Sequence, residues 1–270
     1  MMGEFKFLPQ YQNVVVTPRA RDYLVAGKRY QRVTTALGVI NKPALIPWAK
    51  RVTLENVAAT LLNPTVKSEL LLSLEESPGG YEAFVERLIT RAGKASGEER
   101  DQKAGRGTDL HQAIQDSFQA TNLDDSLSLL DKDSTLAVRA AHTFLQAYGI
   151  APCASELVVW NEDLQIAGTI AGVGWCGGQL VIWDWKTGAH LYLETALQLA
   201  AYAICLSVLT GVEVDAAYAV RLPSPPACAL DYEVKKLDRL GFGSAWLAYR
   251  QALGLYRAQS KELWVEEGNE

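Results

Sequence analysis

Residues 164–188 read LQIAGTIAGVGWCGGQLVIWDWKTG. Two β-rich apolar runs are joined across Cys176-Gly177-Gly178, the signature of a hairpin. A period of two puts Leu180, Ile182, Asp184 and Lys186 on one strand face, and Val181, Trp183 and Trp185 on the other. If the loop is Cys176–Gln179, Trp175 pairs with Leu180, and the residue opposite Asp184 is Ala171. Opposed residues hold their Cβ atoms about 4.5–5.5 Å apart, so a carboxylate at 171 would share a divalent cation with Asp184. An acid and a lysine leaving an otherwise apolar strand need a reason, because charges are rarely buried unless paired or metal-bound. The plainer reading is a strand end that reaches solvent with a surface ion pair.

Working outward, SELVVW (155–160) reads as a strand before an Asn-Glu-Asp turn. A helix is expected over Tyr192–Leu209, where Glu194, Gln198 and Tyr202 form an i, i+4, i+8 polar stripe among Leu and Ala. A strand over Ala216–Leu222, a proline-rich loop at 223–226, a short strand at 229–235 and a helix over 239–258 follow, with an acidic tail from Glu262. Upstream, Pro47 starts a helix running to Leu62. Helical periodicity recurs at 66–76 and 80–93, charged residues fill 94–106, and a further helix spans Thr108–Ala120. Four aspartates make 121–135 a loop, before a helix over Leu136–Tyr148 with Gly149 as its C-cap. Helices first, then a hairpin–helix–strand core, indicate an α/β or α+β protein.

With 270 residues, 49% of them hydrophobic, the chain can bury a proper core, and extended disorder is excluded. The net charge of −5 is unevenly spread. Residues 1–51 carry nine Lys and Arg against Glu4 and Asp22, a balance of +7 that leaves about −12 for the remainder. Tyr11, Tyr23, Tyr30 and Trp48 lie among those cations, and cations with interleaved rings suit a nucleic-acid strand. A solvated basic face with core aromatics is the competing reading. The most apolar stretch, Thr195–Val212, contains Gln198 and reads as a buried helix, so no membrane partner is expected. The N-terminus has no signal-peptide core, and a cytoplasmic location is the expectation. Cys153, Cys176, Cys205 and Cys228 are too far apart for a zinc knuckle or an iron–sulfur run.

Gly107-Thr108-Asp109-Leu110-His111 places His111 and Gln115 one turn apart on a helix. The order GTDLH, SELVVW, AGTIAGVGW, DWKTG and QLAAY, over about 107–202, resembles the RecB-like branch of the PD-(D/E)XK nucleases. Val33-Thr34-Thr35, with Trp48 beyond, is similar to the N-terminal stretch of phage and mitochondrial single-strand DNA exonucleases in that branch. The resemblance implies a PD-(D/E)XK core, a small mixed sheet flanked by helices, with a helical N-terminal elaboration. It divides one structural domain into a basic segment 1–51, a helical region 52–150, a nuclease core 151–238 and a C-terminal helix and tail 239–270.

The implied chemistry is Mg2+- or Mn2+-assisted phosphodiester hydrolysis, on DNA that is single-stranded or has a free end. Asp184, His111 and the Trp185 main-chain carbonyl are implied metal ligands. Lys186 would activate water and steady phosphate charge, and Gln198 and Tyr202 would hold the motif strands. Glu156 and Gln115 would stand behind the ligands. Thr34, Thr35, Lys42, Trp48, Arg51 and Thr187 would touch DNA. The pattern departs at two positions: the family's Gly-Thr-Ile-Asp is here Gly168-Thr169-Ile170-Ala171, and Gln115 replaces a frequent glutamate. Alanine cannot ligate a metal, so hydrolysis is expected to be impaired. With Asp184 and Lys186 retained, this reads as an aspartate replaced to trap substrate, with natural loss of activity as the other account. A non-catalytic DNA-binding or scaffold protein is the alternative function.

Overall fold

Gly177 and Gly178 both take left-handed backbone, with φ of +55° and +83°. Glycine adopts such backbone without a Cβ penalty, and the pair forms the primed turn that matches strand twist. It joins Ile166–Cys176 to Gln179–Lys186, with Trp175 opposite Leu180 as the loop length predicts. The computed structural model describes residues 6–19, 22–40, 45–76, 80–120, 122–223 and 232–259. Lys42, Cys228 and the acidic tail lie outside the described residues.

In chain order the strands are β1 (Val16–Pro18), β2 (Asp22–Val25), β3 (Lys28–Arg32), β4 (Ile150–Asn161), β5 (Ile166–Cys176), β6 (Gln179–Lys186), β7 (Ala216–Arg221) and β8 (Glu233–Leu237). The helices are α1 (Val33–Ala36), α2 (Leu45–Leu62), α3 (Pro64–Glu76), α4 (Gly80–Gln119), α5 (Leu123–Leu127), α6 (Lys132–Ala147), α7 (Leu193–Thr210) and α8 (Arg239–Gln259). The protein is a mixed α/β fold built on one eight-stranded sheet, ordered β1-β2-β3-β5-β6-β7-β8 with β4 paired to β5. β3 joins β5 in parallel and β6 joins β7 in parallel; the other pairs are antiparallel.

The chain divides into two compact units, Met1–Ile40 with Asp109–Glu270, and Asn41–Thr108. The boundaries fall inside the segments 1–51 and 52–150 set out from sequence. The first unit holds the whole sheet. One apolar cluster joins Leu180 and Ile182 of β6 to α7 and to Tyr249 and Leu253 of α8. The other joins Trp183 and Trp185 to Phe144 of α6 and to Leu110 and Ile114 of α4. Helix–sheet–helix layering explains why β6 is apolar on both faces: both are covered. The second unit is helical, made of α2, α3 and the first part of α4.

Three expectations are corrected. The sheet is larger than the small one that the resemblance implied, because the basic segment contributes the β1–β2–β3 meander to it. Its signal was present: alternation at Tyr23/Val25 and Tyr30/Arg32 around Ala26-Gly27, whose φ values are +49° and +78°. The charged stretch 94–106 does not interrupt the helix; α4 runs unbroken for 40 residues. High charge is compatible with helix when the residues are good formers and pair one turn apart, as Glu99 and Lys103 do at 2.6 Å. The expected loop 121–135 contains α5 and the start of α6, because Asn122 and Asp131 cap them, each side chain accepting from backbone N–H groups.

Candidate active site

The β4–β5 ladder runs on to Asn161–Ile166 and the β6–β7 ladder to Lys186–Arg221, but β5 and β6 stop pairing at Gly172–Trp183. Ala171 and Asp184 are the first positions beyond that pair, where the two strands part. Asp184 is 4% exposed. Its Oδ1 accepts from Gln198 Nε2 at 3.4 Å, and Lys186 Nζ lies 2.5 Å from its Oδ2. The ammonium sits off the hydrogen-bond direction, so Oδ2 has charge contact but no aligned donor. Gln198 fixes the pair: its Oε1 accepts from Lys186 at 3.1 Å, and its Nε2 also donates to Tyr202 Oη at 3.1 Å. Of the polar stripe read from the sequence of α7, Gln198 and Tyr202 thus face the acid–lysine pair of β6. Burial, with the Asp184 charge next, pushes the Tyr202 phenol well above its ordinary value, so Tyr202 acts as a neutral hydrogen-bonding ring.

Two glycines of β5 are set by rings. A Cβ at Gly168 would fall 2.3 Å from Tyr202 Cε1, and one at Gly172 would fall 2.0 Å from Trp183 Cε2. Between them, Thr169 Oγ1 is hydrogen-bonded to Tyr23 Oη at 2.8 Å. Arg32 lies over the Tyr23 ring at 4.8 Å, and its Nε donates to the Arg19 carbonyl at 3.1 Å. Tyr23 and Arg32 were absent from the sequence-based site. Their link to Thr169 spans 146 residues, and only the parallel pairing of Gln31 and Arg32 with Ile166 and Ala167 creates it.

His111 projects from α4 towards the same end of the sheet. Its Nδ1 is 3.2 Å from Glu156 Oε1 and its Nε2 is 3.2 Å from the Trp185 carbonyl. Glu156 sits on β4 between the pairs Ser155–Gly172 and Leu157–Ile170, which brings it level with Ala171. Its backbone is left-handed, φ +47°, a conformation a non-glycine strand residue holds at a cost of about 1–3 kcal/mol. Burial opposes a charge on His111, but the Glu156 carboxylate, the Asp184 charge and the Trp185 carbonyl outweigh it and raise its pKa. In cation-free buffer this stabilisation is complete below the ordinary histidine value of about 6.5 and is lost as pH rises through the raised value. The melting temperature should fall over that window in the native sequence and stay flat in His111→Gln. Parallel curves would refute the link.

The resemblance implies a divalent cation. Asp184 Oδ2, buried and without an aligned donor, suits one. The other expected ligands do not. Ala171 offers a methyl group, and both His111 nitrogens already face oxygens. The Trp185 carbonyl accepts from His111. Among the described residues, no three His, Cys, Asp or Glu side chains are arranged to hold a metal ion. The residues present do not complete a cation site.

The remaining sequence candidates separate. Gln115 is half-buried on α4 and outside the network around Asp184. Thr187, half-buried, directly follows Lys186, while Thr34 is exposed and Thr35 half-buried on α1. Trp48 and Arg51 belong to the second unit. There Lys103 Nζ lies 5.5 Å from the centre of the Trp48 ring, and Arg51 is paired with Glu55 at 2.8 Å.

No family model matches the chain, and no curated protein matches it. Among solved structures, the chain has a weak likeness to an alkaline exonuclease (LHK-Exo) from Laribacter hongkongensis, at 8% identity and a TM-score of 0.32, over 56% of this chain and 85% of that one.

Proposed function

We propose that this chain is a DNA-processing protein of the metal-dependent exonuclease kind, acting on single-stranded DNA or DNA ends, with hydrolysis impaired by alanine at position 171. One observation carries the reading: Asp184 is a buried carboxylate at a strand fork, with the Lys186 ammonium against one oxygen and Gln198 bonded to the other. A surface ion pair would need neither the burial nor the Gln198–Tyr202 brace, so the plainer reading of the Asp-x-Lys pair is disfavoured. Lys186, 30% exposed at its side chain, can present its ammonium to a phosphate while Gln198 holds its position. Mg2+ accepts few carboxylates and keeps several waters, so one carboxylate restored at position 171 beside Asp184 would be an adequate ligand set.

A second reading is favoured by Ala171 and by the engaged His111: the chain binds DNA without cutting it. End-labelled single- and double-stranded DNA, digested by Ala171→Asp with Mg2+ or Mn2+ and sized over time, separates the two. Progressive shortening from an end supports the exonuclease. Binding without cleavage of any substrate removes the catalytic reading and leaves the binding one.

A further inference from the structure

The register of β6, β7 and β8 sets two rows of side chains on the sheet face that carries the acid–lysine pair. Asp184, Ala219 and Lys235 form one row, and Lys186, Arg221 and Glu233 the next. Residues opposite each other in a ladder share a face, so Arg221 and Lys235 lie beside the pair on the side away from β5. Ala219 is buried in the core beneath α7, and the row reaches solvent at Lys235. Lys235 Nζ donates to the Leu191 carbonyl at 3.1 Å, which ties this edge to the exposed 188–190 segment following Thr187. Arg221 Nε donates to Glu233 Oε2 at 2.8 Å. Each cation is thereby oriented, yet each keeps donors to spare: an ammonium has three N–H groups and a guanidinium five. Arg221, with Lys235 and His190 nearby, holds the Glu233 carboxyl below its ordinary value, a sign that positive groups converge here.

We infer that Arg221 and Lys235 form a phosphate-binding track that takes the backbone of the nucleic-acid strand beyond the phosphate facing Lys186. This rests on the DNA-processing reading above and deepens it. Two strand spacings separate β6 from β8, about 10 Å, which a nucleic-acid strand covers in about three nucleotides at about 3.4 Å each. A point cation and a guanidinium fork held on a sheet edge bind phosphate oxygens without reading bases, so the track is sequence-independent. Glu233 is the competing anion that occupies the Arg221 fork until a phosphate displaces it.

The test is fluorescence anisotropy of labelled single-stranded DNA with the full chain in EDTA, over a series of salt concentrations. Losing two phosphate contacts should flatten the slope of log affinity against log salt by about 1.4 for the Arg221→Gln/Lys235→Gln double variant, which is about 25-fold weaker binding at about 0.1 M salt. A charge-matched control, Lys132→Gln/Arg250→Gln, should leave both unchanged, and Arg221→Lys/Lys235→Arg should restore most of the slope. Glu233→Gln should bind several-fold tighter, a gain that misfolding cannot produce. An unchanged slope in the double variant, with tight binding by the native sequence, overturns the track alone. If the native sequence binds no DNA at low salt, the track and the DNA-processing reading fall together.

Discussion

In a chain carrying Ala171→Asp, replacing Lys186 with methionine is expected to slow cation-dependent cleavage of DNA by about 10²- to 10⁴-fold, the range that removing a positioned proton-transfer or charge-stabilising group produces. The ammonium is 2.5 Å from Asp184 Oδ2 and 3.1 Å from Gln198 Oε1, so its place is fixed before substrate arrives. A preorganised charge at a half-enclosed site costs little reorganisation during the reaction. Methionine keeps the length and the apolar stem but loses the charge. The change also strands the buried Asp184 carboxylate, so the cation-free variant should lose about 1–3 kcal/mol of stability. On the proposed reading, a divalent cation held by Asp184 and the aspartate introduced at position 171 would supply the missing counter-charge. Added Mn2+ should therefore raise the melting temperature more in the methionine variant than in its lysine parent. Cleavage at the parent rate with saturating Mn2+ would show that Lys186 does not meet the phosphate. An equal Mn2+ shift in both would show that the cation does not lie against Asp184.

The largest stability effect is expected at Gly172. An alanine there would put its Cβ 2.0 Å from Trp183 Cε2 and 2.1 Å from Cζ2, and Trp183 is fully buried against Phe144-lined apolar neighbours and Trp185. The obstacle is a rigid ring inside a packed core, not the tip of a flexible chain, so backbone or indole must move. Overpacking of this kind costs about 1–3 kcal/mol and occasionally more, and Gly172→Ala belongs at the upper end. About 3 kcal/mol corresponds to a fall in melting temperature of about 6–12 °C for a unit of this size. Gly254→Ala is the contrast: no atom lies within 4 Å of its added Cβ, and its place in α8 favours alanine by about 0.5–1 kcal/mol. A melt in which both variants move the same way would reject the steric account.

Local chemistry made the hairpin legible. Gly177-Gly178 prescribes a two-residue turn, the turn fixes Trp175 opposite Leu180, and alternation then assigns faces as far as Asp184 and Lys186. The α7 stripe was legible for the same reason, since Gln198 and Tyr202 are one turn apart on one helix. The errors came where local signals compete. The charged run 94–106 has no apolar periodicity to mark a helix, yet its residues favour helix and pair along it. Aspartate favours both loops and helix N-caps, and at 121–135 Asp131 caps a helix. The N-terminal strands are short and rich in cationic residues, so their alternation is weak over three to five positions.

By itself, the sequence determined that an acid, a lysine, a glutamine and a tyrosine occur with strand and helix spacing, and that position 171 has no carboxylate to offer. Those facts follow from periodicity and residue identity, which act over a few residues. Tertiary structure alone decided the rest. It parts β5 from β6 after Gly172, buries Asp184 against Lys186 and Gln198, and turns both nitrogens of His111 towards oxygens on β4 and β6. It also docks Tyr23 onto Thr169 and lines up Arg221 and Lys235 beside the pair. These contacts join residues up to 146 positions apart. Their geometry is set by ladder register and by the packing of helices on the sheet, which no local pattern encodes.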